Sequence, residues 1–198
     1  MQLLRTGDHA TLPWKNGLGE SRVIASRPPA AGYDAVDWQV GTTGIAFDCP
    51  FSSLPGMDRQ FMLLEGAGVE LSCVDVIAGM NLRHAVNTPF VPFAFRGDWQ
   101  TTCRLLGDPV EVFNVMTRRD RVAAKIVMPR WAGPLFCEQR PGETVVAVVL
   151  AGNVTAPASP VPLAPGEAVM LDEPKGERCV LESGAAQARL AIVRFAPA

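Results

Sequence analysis

The stretch "TTCRLLGDPVEVFNVMTR", residues 101–118, decides how this chain is read. Two apolar-polar runs, Thr101–Leu106 and Val110–Arg118, flank Gly107-Asp108-Pro109. In the second run Val110, Val112, Asn114 and Met116 alternate with Glu111, Phe113, Val115 and Thr117. Alternation with period two places successive side chains on opposite faces of a strand. A Gly-Asp-Pro interruption between two such runs predicts a hairpin loop.

The same grammar extends in both directions. Short runs rich in Val, Leu and Phe recur at residues 22–26, 37–46, 60–66, 68–74 and 91–98. They return at 144–152, 167–172, 178–183 and 188–195. In "GVELSCV" (68–74), Val69, Leu71 and Cys73 share a face. The chain holds 17 prolines and 18 glycines in 198 residues. These are spread between the runs, as turns between many short strands require. No stretch keeps a helical period beyond a turn or two. The expected class is all-β with little helix.

A chain of this length can bury a core without disulfide staples. Closing the sheets into barrels or sandwiches removes their edges. Apolar runs ending in glycine occur at Leu64-Glu65-Gly66 and again at Leu150-Ala151-Gly152. "VPLAPGEAVMLDEP" (161–174) reads as strand, turn, strand. Two similar β-modules fit this echo, with a boundary near "VMPRWAGPLF" (127–136). The modules are drawn as residues 1–125 and 126–198, sharing strands in one compact unit.

Composition narrows the function classes. Formal net charge is -2, so no basic field offers itself to nucleic acid. Arg118, Arg119, Arg121, Lys125 and Arg130 form the densest basic run, either a solvated rim or a carboxylate-binding edge. Five cysteines without a C-x-x-C pair favour core filling and a reducing, cytoplasmic setting. No apolar run is long enough for a membrane span, and the N-terminus does not read as a signal peptide. Histidine occurs only at His9 and His84, too few for a typical His-based metal site in a β-barrel, so no metal or cofactor is expected. His84 reads as a loop residue. No G-x-S-x-G elbow is present.

"PWKNGLGES" (13–21) is the most polar, glycine-rich stretch near the start. It lacks the third glycine of a dinucleotide loop and the G-K-[ST] ending of a P-loop. Trp14 offers an apolar wall with one N–H, Lys15 a cation, Asn16 an amide and Ser21 a hydroxyl. Gly17 and Gly19 allow a tight loop. The stretch either contacts a ligand or plugs a barrel. Arg59 either snorkels to solvent or faces inward, where it needs an anionic partner. Asn114 sits on a face otherwise made of Val112 and Met116, so it either bonds a turn or meets a ligand.

Taken together, these stretches resemble the HutD/Ves family. "PWKNGLGES" is similar to its W-[KR]-N-G-x-G-x-T signature, with Ser21 where threonine is usual. "FSSLPGMDRQFMLLEG" resembles its S-x-F-P-G-x-x-R segment, with Leu54 at the usual aromatic. "FAFRGDW" and "VFNVMTRR" resemble its F-x-G-D and F-N-[LV]-M-x-R segments. The resemblance covers about the first 120 residues and implies a bicupin, two β-barrel or jelly-roll modules without the usual metal histidines. It rests on Trp14, Lys15, Asn16, Gly17, Gly19, Arg59, Gly97, Asn114 and Arg118.

The resemblance also implies a binding protein for a small acidic metabolite, of the urocanate or formyl- or formimino-glutamate type. Such a protein would modulate histidine utilisation or a stress response. Trp14, Lys15, Asn16, Ser21, Arg59, Phe61, Asn114 and Met116 are then the expected ligand-binding residues, with Gly17, Gly19 and Gly97 shaping loops and no catalytic residue assigned. Two rival readings remain. One is a metal-independent hydrolase or isomerase using Lys15, Glu20 or Asp58. The other is an interaction module, and self-association as a homodimer is compatible with each.

Overall fold

The computed structural model describes residues 1–131, 133–157, 159–183 and 188–198. These residues form eighteen strands and a single short 3-10 turn at Thr6–Asp8. They fall into two compact units, Ala10–Arg121 and Met1–His9 with Val122–Ala198. The fold is all-β, as the alternation and turn spacing require.

After β1 (Gln2–Leu4) the chain enters the unit Ala10–Arg121. There it forms β2 (Ala10–Pro13), β3 (Glu20–Arg27), β4 (Trp38–Ile45), β5 (Cys49–Pro50) and β6 (Met57–Glu65). It continues as β7 (Val69–Asp75), β8 (Met80–Val86), β9 (Phe93–Arg96), β10 (Gln100–Leu105) and β11 (Val110–Arg118). A six-stranded sheet runs β2-β3-β4-β11-β6-β9, and a four-stranded sheet runs β5-β10-β7-β8. Ile45, Phe61, Leu63, Phe95 and Val112 from the first sheet pack with Val69, Leu71, Cys73 and Cys103 from the second. The face of β7 read from the sequence is thus buried. Burying one side chain of this size contributes about 1.5–3 kcal/mol, so this interior holds the unit together.

The second unit joins β1 to β12 (Val122–Val127), β13 (Pro134–Gln139), β14 (Thr144–Ala151) and β15 (Val154–Thr155). Its last strands are β16 (Ala168–Leu171), β17 (Glu177–Ser183) and β18 (Arg189–Pro197). Its sheets run β1-β16-β14-β18-β12 and β13-β17-β15. Val145, Ala147, Val149, Val169 and Ile192 pack with Cys137, Val154, Cys179 and Leu181. All five cysteines are buried free thiols.

Three local expectations change. Residues 107–109 do not close a hairpin: β10 pairs with β5 and β7, whereas β11 pairs with β4 and β6. The segment carries the chain from one sheet to the other. Both runs have a buried face, and a local turn signal does not say which partner completes each ladder. His84 lies on strand β8, stacked on Phe93 with ring centroids 4.1 Å apart, and not on a loop. The first nine residues group with Val122–Ala198, because Leu3 is in register with Val169 on β16. The division falls after Arg121, whereas the sequence reading drew it after residue 125.

A pocket built around an unpaired arginine

Inside the unit Ala10–Arg121, the inward face of the large sheet is apolar at one end and polar at the other. Register places Asn114 opposite Phe61 and Met116 opposite Arg59 on β11 and β6. Side chains two apart on a strand share a face, so all four line one cavity. Trp14, Ser21 and Thr43 join them from the β2–β3 side, and Phe51, Leu54 and Tyr33 complete the wall. The cavity is small and partly open to solvent.

Arg59 dominates the electrostatics. Its Cζ lies 4.9 Å from the Phe51 ring centroid and 5.0 Å from that of Phe95. The two ring centroids are 6.2 Å apart, so the adjacent rings form one aromatic surface beneath the guanidinium. Its Nε is buried without a hydrogen-bond partner. Burial pulls its pKa down to about 10, and nearby Tyr33 and Cys73 oppose that only in part. The group stays fully charged at neutral pH. Among the described residues no carboxylate forms an ion pair with it. Asn114 is 7% exposed, and its Oδ1 also lacks a partner. Two buried polar atoms on adjacent strands, Arg59 Nε and Asn114 Oδ1, therefore stand without a partner in residues that line the cavity, against the rule that buried polar groups are paired.

The "PWKNGLGES" loop proves to be partly lining and partly frame. Trp14 donates from Nε1 to Ser21 Oγ and Thr43 Oγ1, both at 3.1 Å. Thr43 passes its own proton to the Glu20 carbonyl at 2.6 Å. Ser21 thus keeps the hydroxyl chemistry of a threonine. The backbone closes on itself, with Trp14 N–H donating to the Gly19 carbonyl at 2.8 Å and Gly17 N–H to the Trp14 carbonyl at 2.9 Å. Gly17 has φ of 72°. A Cβ on Gly19 would sit 3.0 Å from the Trp14 ring, so this glycine lets the indole lie flat on the loop.

Lys15 and Asn16 do not line the cavity. Lys15 forms an ion pair with Asp34 at 2.6 Å, and this contact holds the Asp34 carboxyl below its usual range. Asn16 donates to the Pro50 carbonyl at 2.8 Å and accepts from Leu18 N–H at 3.1 Å. Gly97 frames the opposite wall. Its N–H donates to the Met57 carbonyl and its carbonyl accepts from Leu54, both at 2.8 Å. An added Cβ would approach the Leu54 carbonyl oxygen to 2.5 Å.

Three members of the basic run have partners within the unit Ala10–Arg121. Arg118 donates to the Tyr33 and Asp34 carbonyls, each at 3.2 Å. Arg119 pairs with Asp58 at 2.7 Å and Asp98 at 2.5 Å, and Arg121 with Asp37 at 2.7 Å. Asp58 is thereby occupied outside the cavity. Tyr33, Thr43 and Phe51 were not singled out in the sequence. Tyr33 is the sole tyrosine, set in the turn-rich "RPPAAGYDAVD", which is the one signal that marked it. Its phenol interacts with Ser21, and burial pushes its pKa up. Among the described residues no group of three or more His, Cys, Asp or Glu side chains could hold a metal ion. No helix among them is long and apolar enough to cross a membrane.

Two all-β modules, each built from two packed sheets, define a bicupin-like fold. Residues 6–189 match the HutD family model, and the chain belongs to that family. It is 33% identical over 126 residues to an uncharacterised 21.2 kDa protein in the hutC 3′ region of Pseudomonas putida. It is 37% identical over 114 residues to the protein Ves of Citrobacter koseri. These matches cover 64% and 57% of this chain and 63% and 56% of the relatives, less than two thirds of their length. Among solved structures, HutD from Pseudomonas fluorescens SBW25, in a formate condition, superposes with a TM-score of 0.78 at 24% identity, covering 100% of this chain and 98% of that one. Oxalate decarboxylase from Bacillus subtilis superposes at 0.63 with 9% identity, over 98% of this chain and 76% of that one. At these identities the likeness shows the fold, and it is that of a bicupin.

Proposed function

We propose that this protein binds a small carboxylate in the cavity of its N-terminal barrel and acts as a metabolite-binding component of histidine utilisation or a stress response. The observation that carries this reading is the charged Arg59, set over two adjacent phenyl rings with its Nε lacking a partner. A carboxylate satisfies it through the short, strong hydrogen bonds that guanidinium makes. Asn114 then contacts the second oxygen or a neighbouring polar group. Phe61 and Met116 supply the apolar wall, and Trp14 and Ser21 the polar end. The titratable lining groups are Arg59, whose pKa burial pulls down to about 10, and Tyr33, whose pKa burial pushes up. Neither exchanges a proton readily at neutral pH, which fits binding better than general acid–base turnover.

Isothermal titration with formate, urocanate and N-formyl-glutamate tests this. Wild-type protein binds at least one of these acids, and Arg59→Met abolishes the heat. Failure of every acid to bind, or unchanged affinity in Arg59→Met, would overturn it.

A further inference from the structure

Each unit sets two cysteines directly opposite one another on neighbouring antiparallel strands. Cys137 on β13 is in register with Cys179 on β17, and Cys49 on β5 with Cys103 on β10. Residues opposite each other in an antiparallel ladder point to the same face, with Cα atoms about 4.5–5.5 Å apart. That lies inside the span a disulfide bridges, about 4.4–6.8 Å. All four are buried free thiols. The fifth, Cys73, stands opposite Leu82 and Thr101 and has no cysteine across from it.

The surroundings separate the two pairs. In the first, the Cys179 thiol donates to the Cys137 sulfur. This holds Cys137 below the ordinary thiol range against the effect of burial, and the Arg194 guanidinium assists. The same hydrogen bond, with burial, pushes Cys179 up. One sulfur is thus prepared to attack, and a second touches it. In the other pair, burial, the Cys49 sulfur and Asp48 push Cys103 up to about 12. Burial and Asp48 push Cys49 up as well. Neither of these sulfurs readily becomes the thiolate, which is the reactive form.

Access and freedom to move also favour the first pair. β13 is the edge strand of its sheet, and among the described residues its ladder partner is β17. It can shift to bring the two sulfurs to bonding distance without breaking a second ladder. Cys179 is 6% exposed and Cys137 is fully buried, so the site selects a small neutral oxidant over a bulky disulfide.

We propose that Cys137 and Cys179 form a two-electron oxidation site that hydrogen peroxide converts to a cross-strand disulfide, while Cys49 and Cys103 stay reduced. The Cys137 thiolate attacks one peroxide oxygen and the O–O bond breaks. The leaving hydroxide takes up the proton that Cys137 released and departs as water, and Cys137 becomes the sulfenic acid. The Cys179 sulfur then attacks the Cys137 sulfur and the S–O bond breaks. The hydroxyl leaves with the Cys179 proton as a second water. Two thiols are oxidised and one peroxide is reduced. The site lies in the other unit from the arginine pocket, so it stands whether or not that pocket binds a carboxylate.

Peroxide treatment of the full-length protein at pH 7, then alkylation, digestion without reductant and mass spectrometry, tests this. A peptide pair linked through Cys137 and Cys179 accumulates at least about ten-fold faster than one linked through Cys49 and Cys103. Dithiothreitol reverses the link. Cys179→Ser keeps a hydrogen-bond donor but no second sulfur, so Cys137 halts as the sulfenic acid and is captured by dimedone. Should that variant fold poorly, the wild-type mapping decides alone. A folded wild-type protein with no Cys137–Cys179 link overturns the proposal. So does a link that forms only in urea, or one that forms at the same rate at both pairs. A folded Cys179→Ser protein without dimedone on Cys137 overturns the assignment of the attacking sulfur.

Discussion

Arg59→Met is expected to make the ligand-free protein more stable while removing its binding function. Moving the guanidinium out of water lowers its pKa from its ordinary value to about 10. At 1.36 kcal/mol per unit this corresponds to about 3 kcal/mol of unfavourable free energy in the charged folded state. The contacts with Phe51 and Phe95 return about 0.5–1 kcal/mol each. Methionine keeps much of the length and apolar contact, so the net change is about 1–2 kcal/mol of stabilisation. The sign follows from linkage. A base with a depressed folded pKa carries its penalty at every pH below the folded value, and the penalty is relieved as pH rises from about 10 toward the ordinary value. The gain should therefore be constant from pH 6 to 9. Urea denaturation of both proteins across that range measures it, read from the transition of the unit Ala10–Arg121. Destabilisation by 1 kcal/mol or more would refute the reasoning, because it would mean that the folded protein already compensates the charge. In wild type, a bound carboxylate raises the midpoint as its concentration exceeds Kd; the variant shows no such rise.

Two further substitutions probe the frame. Gly97→Ala forces a Cβ to 2.5 Å from the Leu54 carbonyl oxygen, so it should destabilise the unit Ala10–Arg121 by about 2 kcal/mol or more, measured by chemical denaturation. In the other unit, burial alone would raise the Glu167 pKa. The Ala164 N–H, Arg5 at 2.6 Å and the Thr6 N–H outweigh it and hold the carboxyl low. Its stabilisation is present above the ordinary carboxylate pKa of about 4.3 and is lost as pH falls through the folded value. Glu167→Gln should cost about 1–3 kcal/mol at pH 7 and flatten that part of the acid-induced loss of stability.

Period-two alternation made the strands of the interior legible, because their buried faces must be apolar. β7 and β11 could be drawn residue by residue. Edge strands could not: β8 reads "MNLRHAV" and exposes Asn81, Arg83, His84 and Ala85. Water tolerates polar residues on both of its faces, so no pattern is imposed. Sheet partnership was hidden for a related reason, since the crossover at 107–109 uses the same residues as a hairpin would. In the pocket, Arg59 and Asn114 stood out because each is a polar residue on an apolar face. Tyr33 did not, as its position depends on how the β3–β4 segment folds back, and Thr43 did not, as its place depends on β4 pairing with β11. Lys15 and Asn16 were expected at the ligand and instead satisfy Asp34 and the Pro50 carbonyl. A polar loop has its own hydrogen bonds to close, and sequence spacing does not show which groups are left over.

Strand β1 imposes an order on biosynthesis. It is made before the strands of Ala10–Arg121, yet its ladder partner among the described residues is β16, which follows roughly 165 residues later. At about 5–20 residues per second, that is a wait of roughly 8–30 s. Every strand of Ala10–Arg121 is synthesised in the interval and can pair within its own unit. The pocket-bearing barrel can therefore be complete on the nascent chain while Gln2–Leu4 still waits for β16 to be made.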